Sequence, residues 1–308
     1  MNERELESIR QYREKFPDNR NDIEGVKHQV RFVQVRMLRI IDEVLKKNGI
    51  EYFLFDGTLL GARRHGGFIP WDDDIDIAIM RKDVKRAVEV LKRDLPFDML
   101  VQYWEEKGSQ LNLPFIKIND KFSSFIEKPF DLRYHQGIFI DIFPIDKVYK
   151  DKRLRDIQQK ACRYLFYMYF DRPRHAISRK KLKYIIFKLF HRVENITRRV
   201  KFIIDEVDSN HSEYVYAHTL GWDLDFTRFE YTDEMLFPLT TIHFEGYEFP
   251  APHDIDEVLK RTYGEWKVLP QIKYDDATFF HARGNVSALE KFPHKDSLEW
   301  GAVELLLK

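Results

Sequence analysis

The octapeptide DDIDIAIM at 73–80 limits what this chain can be more than any other stretch. In an extended strand, successive side chains point to opposite faces. Asp74, Asp76 and Ala78 therefore share one face, and Ile75, Ile77 and Ile79 share the other. The isoleucine face is core. The acidic face sets two carboxylates about 6.6 Å apart, where they repel by about 2.5 kcal/mol at an effective dielectric of 20. A divalent cation reverses that sign, and hard oxygen donors of this kind suit Mg²⁺ or Mn²⁺. Asp72 and Asp73, at the entry to the strand, are expected in a solvated turn or as caps.

GIFIDIF at 137–143 repeats the logic with one acid. Asp141 interrupts an otherwise apolar strand, and an unpaired buried carboxylate costs several kcal/mol unless it is paired or coordinates a metal. Asp141 is therefore a candidate third ligand or general base. Upstream, IEYFLF at 50–55 reads as a buried strand running into the turn DGT. Gly57 lets the backbone approach a ligand closely, and Thr58 can open a helix whose free amides hold a phosphate. A strand, a Gly-Thr turn and then a strand bearing Asp-x-Asp is the nucleotidyltransferase layout. Lys117, in the strand candidate LPFIKIN (113–119), could pair with a donor phosphate or with a nearby carboxylate.

Around this centre the pattern is α+β. Val26, Val30, Val33, Met37, Ile40, Ile41 and Val44 recur at helical spacing, and so do Val84, Ala87, Val88 and Leu91. FDMLVQY (97–103) and FSSFIE (122–127) read as strands, TIHFEGYEF (241–249) as a hairpin, and DIDEVLKRTYG (254–264) as a helix that Gly264 terminates. The expected fold is a nucleotidyltransferase-like mixed β-sheet core with flanking helices and an added helical segment. Residues 1–146 would form the catalytic core with its N-terminal helix, 147–235 a basic helical insertion, and 236–308 a hairpin and helix that complete the catalytic domain.

Lys plus Arg and Asp plus Glu each number 51, so net charge gives no reason to expect nucleic acid as partner. The charge is uneven, however, with 17 basic against 4 acidic residues over 150–201. Pro173 marks a break between two helices there. The basic-aromatic stretches RYLFYMYF and RKKLKYIIFKLFHRV would suit the acidic inner face of a membrane or a lipid-linked glycan, or simply form a solvated helical subdomain. A single cysteine, Cys162, excludes a disulfide framework and fits a reducing compartment. The charged N-terminus and short apolar runs give no signal peptide or span, so a cytoplasmic protein is expected, peripheral at most to the cytoplasmic membrane face.

The stretch DGTLLGARRHGGFIPWDDDIDIAIM (56–80) closely resembles the LicD family. The resemblance continues through FIKIND (115–120), GIFIDIFPID (137–146) and PAPHDIDEVLKRTYGEWKVLP (250–270). It implies a phosphotransferase that moves phosphocholine, or a related head group, from a CDP-linked donor such as CDP-choline to a glycan hydroxyl. Fukutin-type proteins, which look like distant relatives, use phosphoribitol. By position, the resemblance gives Gly57 and Thr58 to the donor phosphates, Asp74 and Asp76 to the metal, and Asp141 as third carboxylate. Arg64 and His65 match an Arg-His pair that would meet the diphosphate, and His253 matches PAPHD. Arg63, Gly66 and Ser123 depart from the family pattern, and Gly66 bears on acceptor contacts. Trp71, Tyr103 and Trp104 could offer an aromatic face to a quaternary ammonium. Two further readings are a nucleotidyltransferase that modifies a small molecule and releases pyrophosphate, and a noncatalytic glycan-binding relative.

Overall fold

A computed structural model describes residues 3–106, 109, 111, 113, 115–127, 134–169, 214–217, 230–271 and 279–291. The proposed break at Pro173 and the basic helix at 179–193 lie outside these residues.

The chain enters as α1 (Glu3–Lys15) and then α2 (Val26–Lys47). The apolar stripe expected for α2 is buried from Val30 through Leu45, whereas Val26 is exposed. Next come β1 (Tyr52–Leu54), α3 (Asp56–His65), β2 (Asp76–Met80), α4 (Val84–Asp94), β3 (Met99–Tyr103), β4 (Ile116–Asp120), β5 (Ser124–Phe125) and β6 (Phe139–Tyr149). Each of β1–β6 coincides with an apolar run read from the sequence, with β4 extending one residue and β6 six residues further. α5 (Lys152–Tyr169) and β7 (Tyr214–Ala217) follow, then α6 (Asp233–Leu236), β8 (Thr240–Phe244), β9 (Tyr247–Ala251), α7 (Ile255–Tyr263) and β10 (Val286–Ser287).

The sheet runs β1-β2-β6-β4-β3, with β7 paired to the far half of β6. Only β2 and β6 are parallel among these pairs; the others are antiparallel. This is a mixed sheet flanked by helices, an α+β fold. Its central strands β2, β4 and β6 are buried on both faces, so their isoleucines form the core, and any polar residue on them needs a partner or a function.

The β8–β9 hairpin turns at Glu245 and Gly246, both in the left-handed region, as a two-residue hairpin turn requires. Asp254 caps α7 by accepting from Glu257 N, and Gly264 ends it at positive φ. Arg20 anchors the periphery. Its guanidinium donates to both oxygens of Asp120 (2.8 Å each), to Asp18 and to the carbonyl of Ala288. The network joins the N-terminal arm, the end of β4 and the C-terminal segment.

Candidate active site

α2 positions the acidic loop with its polar face. Lys27 donates to the carbonyl of Pro70, Arg31 to those of Ile69, Pro70 and Asp72, and Gln34 to that of Asp73. Residues at i, i+4 and i+7 of one helix thus take up the loop carbonyls, so the loop can hold its acids without regular secondary structure. The strand proper begins at Asp76, whose backbone N donates to the buried Thr58 hydroxyl (2.8 Å). The Thr58 side chain therefore fixes the start of β2. Its backbone amide, with that of Gly57, belongs to the first turn of α3, where amides lack helical acceptors.

A cleft of about 880 Å³ opens at this end of the sheet. Asp56, Gly57, Arg64, Trp71, Asp72, Asp74 and Asp76 line one side, and Tyr263, Trp266, Phe280 and His281 line the other. A Cβ on Gly57 would lie 2.6 Å from Asp72 Oδ2, so a larger residue there would push that carboxylate aside. The close approach it permits is to a carboxylate of the chain itself. Gly61, one turn on, faces the Gly67 carbonyl, and an added Cβ would sit 2.5 Å from it. Gly61→Ala is expected to cost about 1–3 kcal/mol through displacement of the 66–69 backbone, even though alanine favours helices. Thermal melts check this, and an unchanged midpoint would mean that the turn yields freely.

The parallel register sets Asp76 opposite Asp141, and the antiparallel register sets Asp141 opposite Lys117, so all three stand in one row across β2, β6 and β4. Lys117 is fully buried and donates to both oxygens of Asp141 (2.9 and 3.1 Å). It also pairs with Glu127 at 3.1 Å and lies 3.2 Å from the centre of the Phe139 ring. The carboxylate partner that the sequence allowed for Lys117 is thus present twice over, in Asp141 and Glu127.

Burial and the neighbouring Asp72, Asp73 and Asp141 charges hold the Asp74 carboxyl well above the usual range, against the pull of Lys117. Burial, then the charges of Asp74 and Asp56, do the same to Asp76. Burial pushes Asp141 up to about 6, with Lys117 opposing. Asp76 is only 8% exposed, and among the described residues no hydrogen bond or ion pair reaches its carboxylate. A buried, unpartnered acid beside others, all oxygen donors, fits a hard divalent cation.

Asp73 is not the solvated or capping acid expected, while Asp72 is half-buried beside it. Asp73 is 1% exposed and accepts from the His281 backbone N (3.1 Å to Oδ2) and imidazole (2.5 Å to Oδ1). The C-terminal segment covers the loop, which no local pattern reveals. One ligand atom from each of Asp72, Asp73, Asp74 and His281 lies within 4.8 Å of the others, a cluster that could hold a metal ion.

The remaining candidates separate. Arg64 lines the cleft, donates to the Trp266 carbonyl (2.8 Å) and lies 5.9 Å from the Trp71 ring centre. His65 packs edge-on to Trp71 rather than lining the cleft, and burial with the Arg64 charge lowers its pKa. His253 is exposed and meets Leu236 through its backbone. Tyr103 and Trp104 pack on each other at β3, separated from β2 by β4 and β6, so the three-aromatic face is not assembled. Gly66 ends α3 in the left-handed conformation and accepts from Glu245 N, a structural reason for glycine there. Sequence reasoning missed Asp56, Tyr263, Trp266, Phe280 and His281. Asp56, at φ 43°, accepts from the Tyr263 hydroxyl, and its place in DGT was the one available hint.

Asp74, Asp76 and Asp141 lie within a stretch that is similar to known proteins. Residues 49–183 match the family model "LicD/FKTN/FKRP, nucleotidyltransferase domain". The lipopolysaccharide cholinephosphotransferase LicD of Haemophilus influenzae is 26% identical over 258 residues, covering 77% of this chain and 91% of the relative. Human ribitol 5-phosphate transferase FKRP is 50% identical over 46 residues, 15% of this chain and 9% of that protein. An uncharacterized Rickettsia prowazekii protein, RP689, is 41% identical over 68 residues, 22% of this chain and 26% of the relative. Residues 49–183 are thus similar to the nucleotidyltransferase domain that the LicD family shares.

Proposed function

We propose that this protein transfers phosphocholine, or a related phosphate-linked head group, from a CDP-linked donor to a sugar hydroxyl of a cell-surface glycan. The observation that carries the reading is the buried Asp76 carboxylate, unpartnered among the described residues, beside Asp74 in a cleft that also receives the first turn of α3. The 258-residue likeness to a lipopolysaccharide cholinephosphotransferase supports the head group, and the short likeness to FKRP keeps ribitol phosphate as its competitor.

In this reading Asp74, Asp76 and Asp141 would hold Mg²⁺ or Mn²⁺, which when bound supplies positive charge to the diphosphate and to the transferring phosphoryl group. The amides of Gly57 and Thr58 and the Arg64 guanidinium face the donor phosphates as neutral and charged hydrogen-bond donors. The acceptor oxygen attacks the phosphorus attached to the head group. The bond from that phosphorus to the bridging oxygen breaks, and CMP leaves with that oxygen. The hydroxyl proton goes to a carboxylate. Asp141 is assigned the base as the buried acid opposite Asp76 in the sheet register. Lys117 holds both of its oxygens in place. Trp71 and Trp266 give the cleft two indole faces that a quaternary ammonium would favour by about 1–2 kcal/mol.

The segmentation at 146 and 235 and a cytoplasmic site of action belong to the same proposal. No described helix is long and apolar enough to cross a membrane. Incubation with Mg²⁺ and, separately, CDP-choline, CDP-ribitol, CDP-glycerol and CDP-ethanolamine is expected to release CMP from one donor when glycan acceptor is present. Silence with all four would count against the reading and favour the noncatalytic alternative.

A further inference from the structure

Four chain segments converge on the acidic end of the cleft, and one of them has no part in the mechanism above. Residues 279–291 run along β5 as a fixed strap. β10 pairs antiparallel with β5, the Arg283 N donates to the Ile126 carbonyl (2.7 Å), and the Ile126 N donates to that of Asn285 (3.1 Å). Arg20 ties down the carbonyl of Ala288 (3.0 Å), and Phe279 packs edge-on against Phe125. At the leading end of this strap stands His281, whose imidazole meets Asp73 Oδ1 at 2.5 Å and Asp74 Oδ2 at 3.4 Å. The strap is thus a built support, and what it delivers to the cleft is a nitrogen donor.

Atoms on opposite sides of an ion bound at 2.1 Å are about 4.2 Å apart. The cluster formed by Asp72, Asp73, Asp74 and His281, within 4.8 Å, is close to that width, so a small inward shift of the side chains would make one coordination shell. A second observation points to a cation independently. Asp76 lines the same cleft, is more than nine-tenths buried, and has no hydrogen-bond or ion-pair partner among the described residues. Asp73, which accepts from both the backbone and the ring of His281, plays the part of the carboxylate that orients a metal-binding histidine.

We propose that His281 supplies a nitrogen ligand to the divalent cation that Asp74 and Asp76 hold in the reading above, with Asp72 as a further oxygen donor, and that this site therefore prefers Mn²⁺ to Mg²⁺. Mixed nitrogen and oxygen sites bind transition metals ahead of Mg²⁺, which favours all-oxygen shells. The inference rests on the metal-dependent reading above and goes beyond it in naming a ligand 208 positions from Asp73 and a metal preference. It concerns how the chain holds the ion and requires no knowledge of the head group.

The test is pulsed electron paramagnetic resonance on the full chain loaded with one equivalent of Mn²⁺. A directly bound imidazole modulates the electron spin echo through its ¹⁴N nucleus. The expected result is ¹⁴N modulation in the wild type that disappears in a folded His281→Gln variant, together with Mn²⁺ affinity lowered by about tenfold or more. Mn²⁺ bound without ¹⁴N modulation overturns the inference while leaving the metal-dependent reading intact. Modulation that persists in His281→Gln also overturns it, since another histidine would be the ligand. A spectrum of free aqueous Mn²⁺ overturns both. The wild-type spectrum decides the first question even if the variant fails to fold.

Discussion

Asp76→Asn is expected to raise the melting temperature of the metal-free protein and to lower turnover by about 10²- to 10³-fold or more. The two effects have one cause. Burial and the charges of Asp74, Asp56 and Asp141 disfavour the ionised form of Asp76, and no described group compensates. An isosteric amide removes about 1–2 kcal/mol of repulsion, or about 2–3 °C for a chain of this size. The backbone bond to Thr58 survives the change.

The pH dependence follows with a definite sign. Carboxyls whose folded-state pKa is raised contribute stability below their ordinary value near 4, and that contribution is lost as pH rises through the folded value, about 6 for Asp141. Metal-free wild type should therefore lose stability between about pH 4 and 7 more steeply than Asp76→Asn, and Mn²⁺ at neutral pH should restore it. Calorimetry with and without chelator checks all three statements. A variant that melts below wild type without metal would make Asp76 a structural acid.

The largest loss of stability is expected from Lys117→Met. The ammonium is a cation that both Asp141 and Glu127 face, and it is fully buried on β4 over the Phe139 ring of the adjacent β6. Removing one member of a buried ion pair leaves the other charge uncompensated, a cost of about 3–5 kcal/mol. Adding Asp141→Asn should return part of that loss, because the orphaned carboxylate goes with it. Denaturant titrations of the single and double variants measure the coupling. If Lys117→Met melts like wild type, the charge on Asp141 is held by something other than Lys117.

These expectations show which kind of information the sequence carries. The alternation in DDIDIAIM and GIFIDIF places Asp76 and Asp141 on strands with an apolar opposite face, because strand periodicity is local. It does not show that β2 and β6 are adjacent and in register, which depends on sheet order. The helical stripe of α2 was legible as core. The opposite role of Lys27, Arg31 and Gln34 in binding loop carbonyls was not, since polar residues on a helix ordinarily face water. His281 illustrates the limit most sharply: it reaches Asp73 across 208 positions, and nothing near it in sequence marks it out. Tyr103 and Trp104 err the other way, because aromatics near a motif in sequence end up at the far edge of the sheet.

The account turns on one reaction, so the most direct measurement follows the phosphorus. CDP-choline labelled at the phosphorus attached to choline would be incubated with the protein, Mn²⁺ or Mg²⁺, and lipopolysaccharide as glycan acceptor. The account predicts label in the glycan, an equal amount of unlabelled CMP, and neither product with chelator or with Asp76→Asn. Failure of label to leave any CDP-linked donor, with pyrophosphate released from CTP and the nucleotide attached to an acceptor instead, would contradict it.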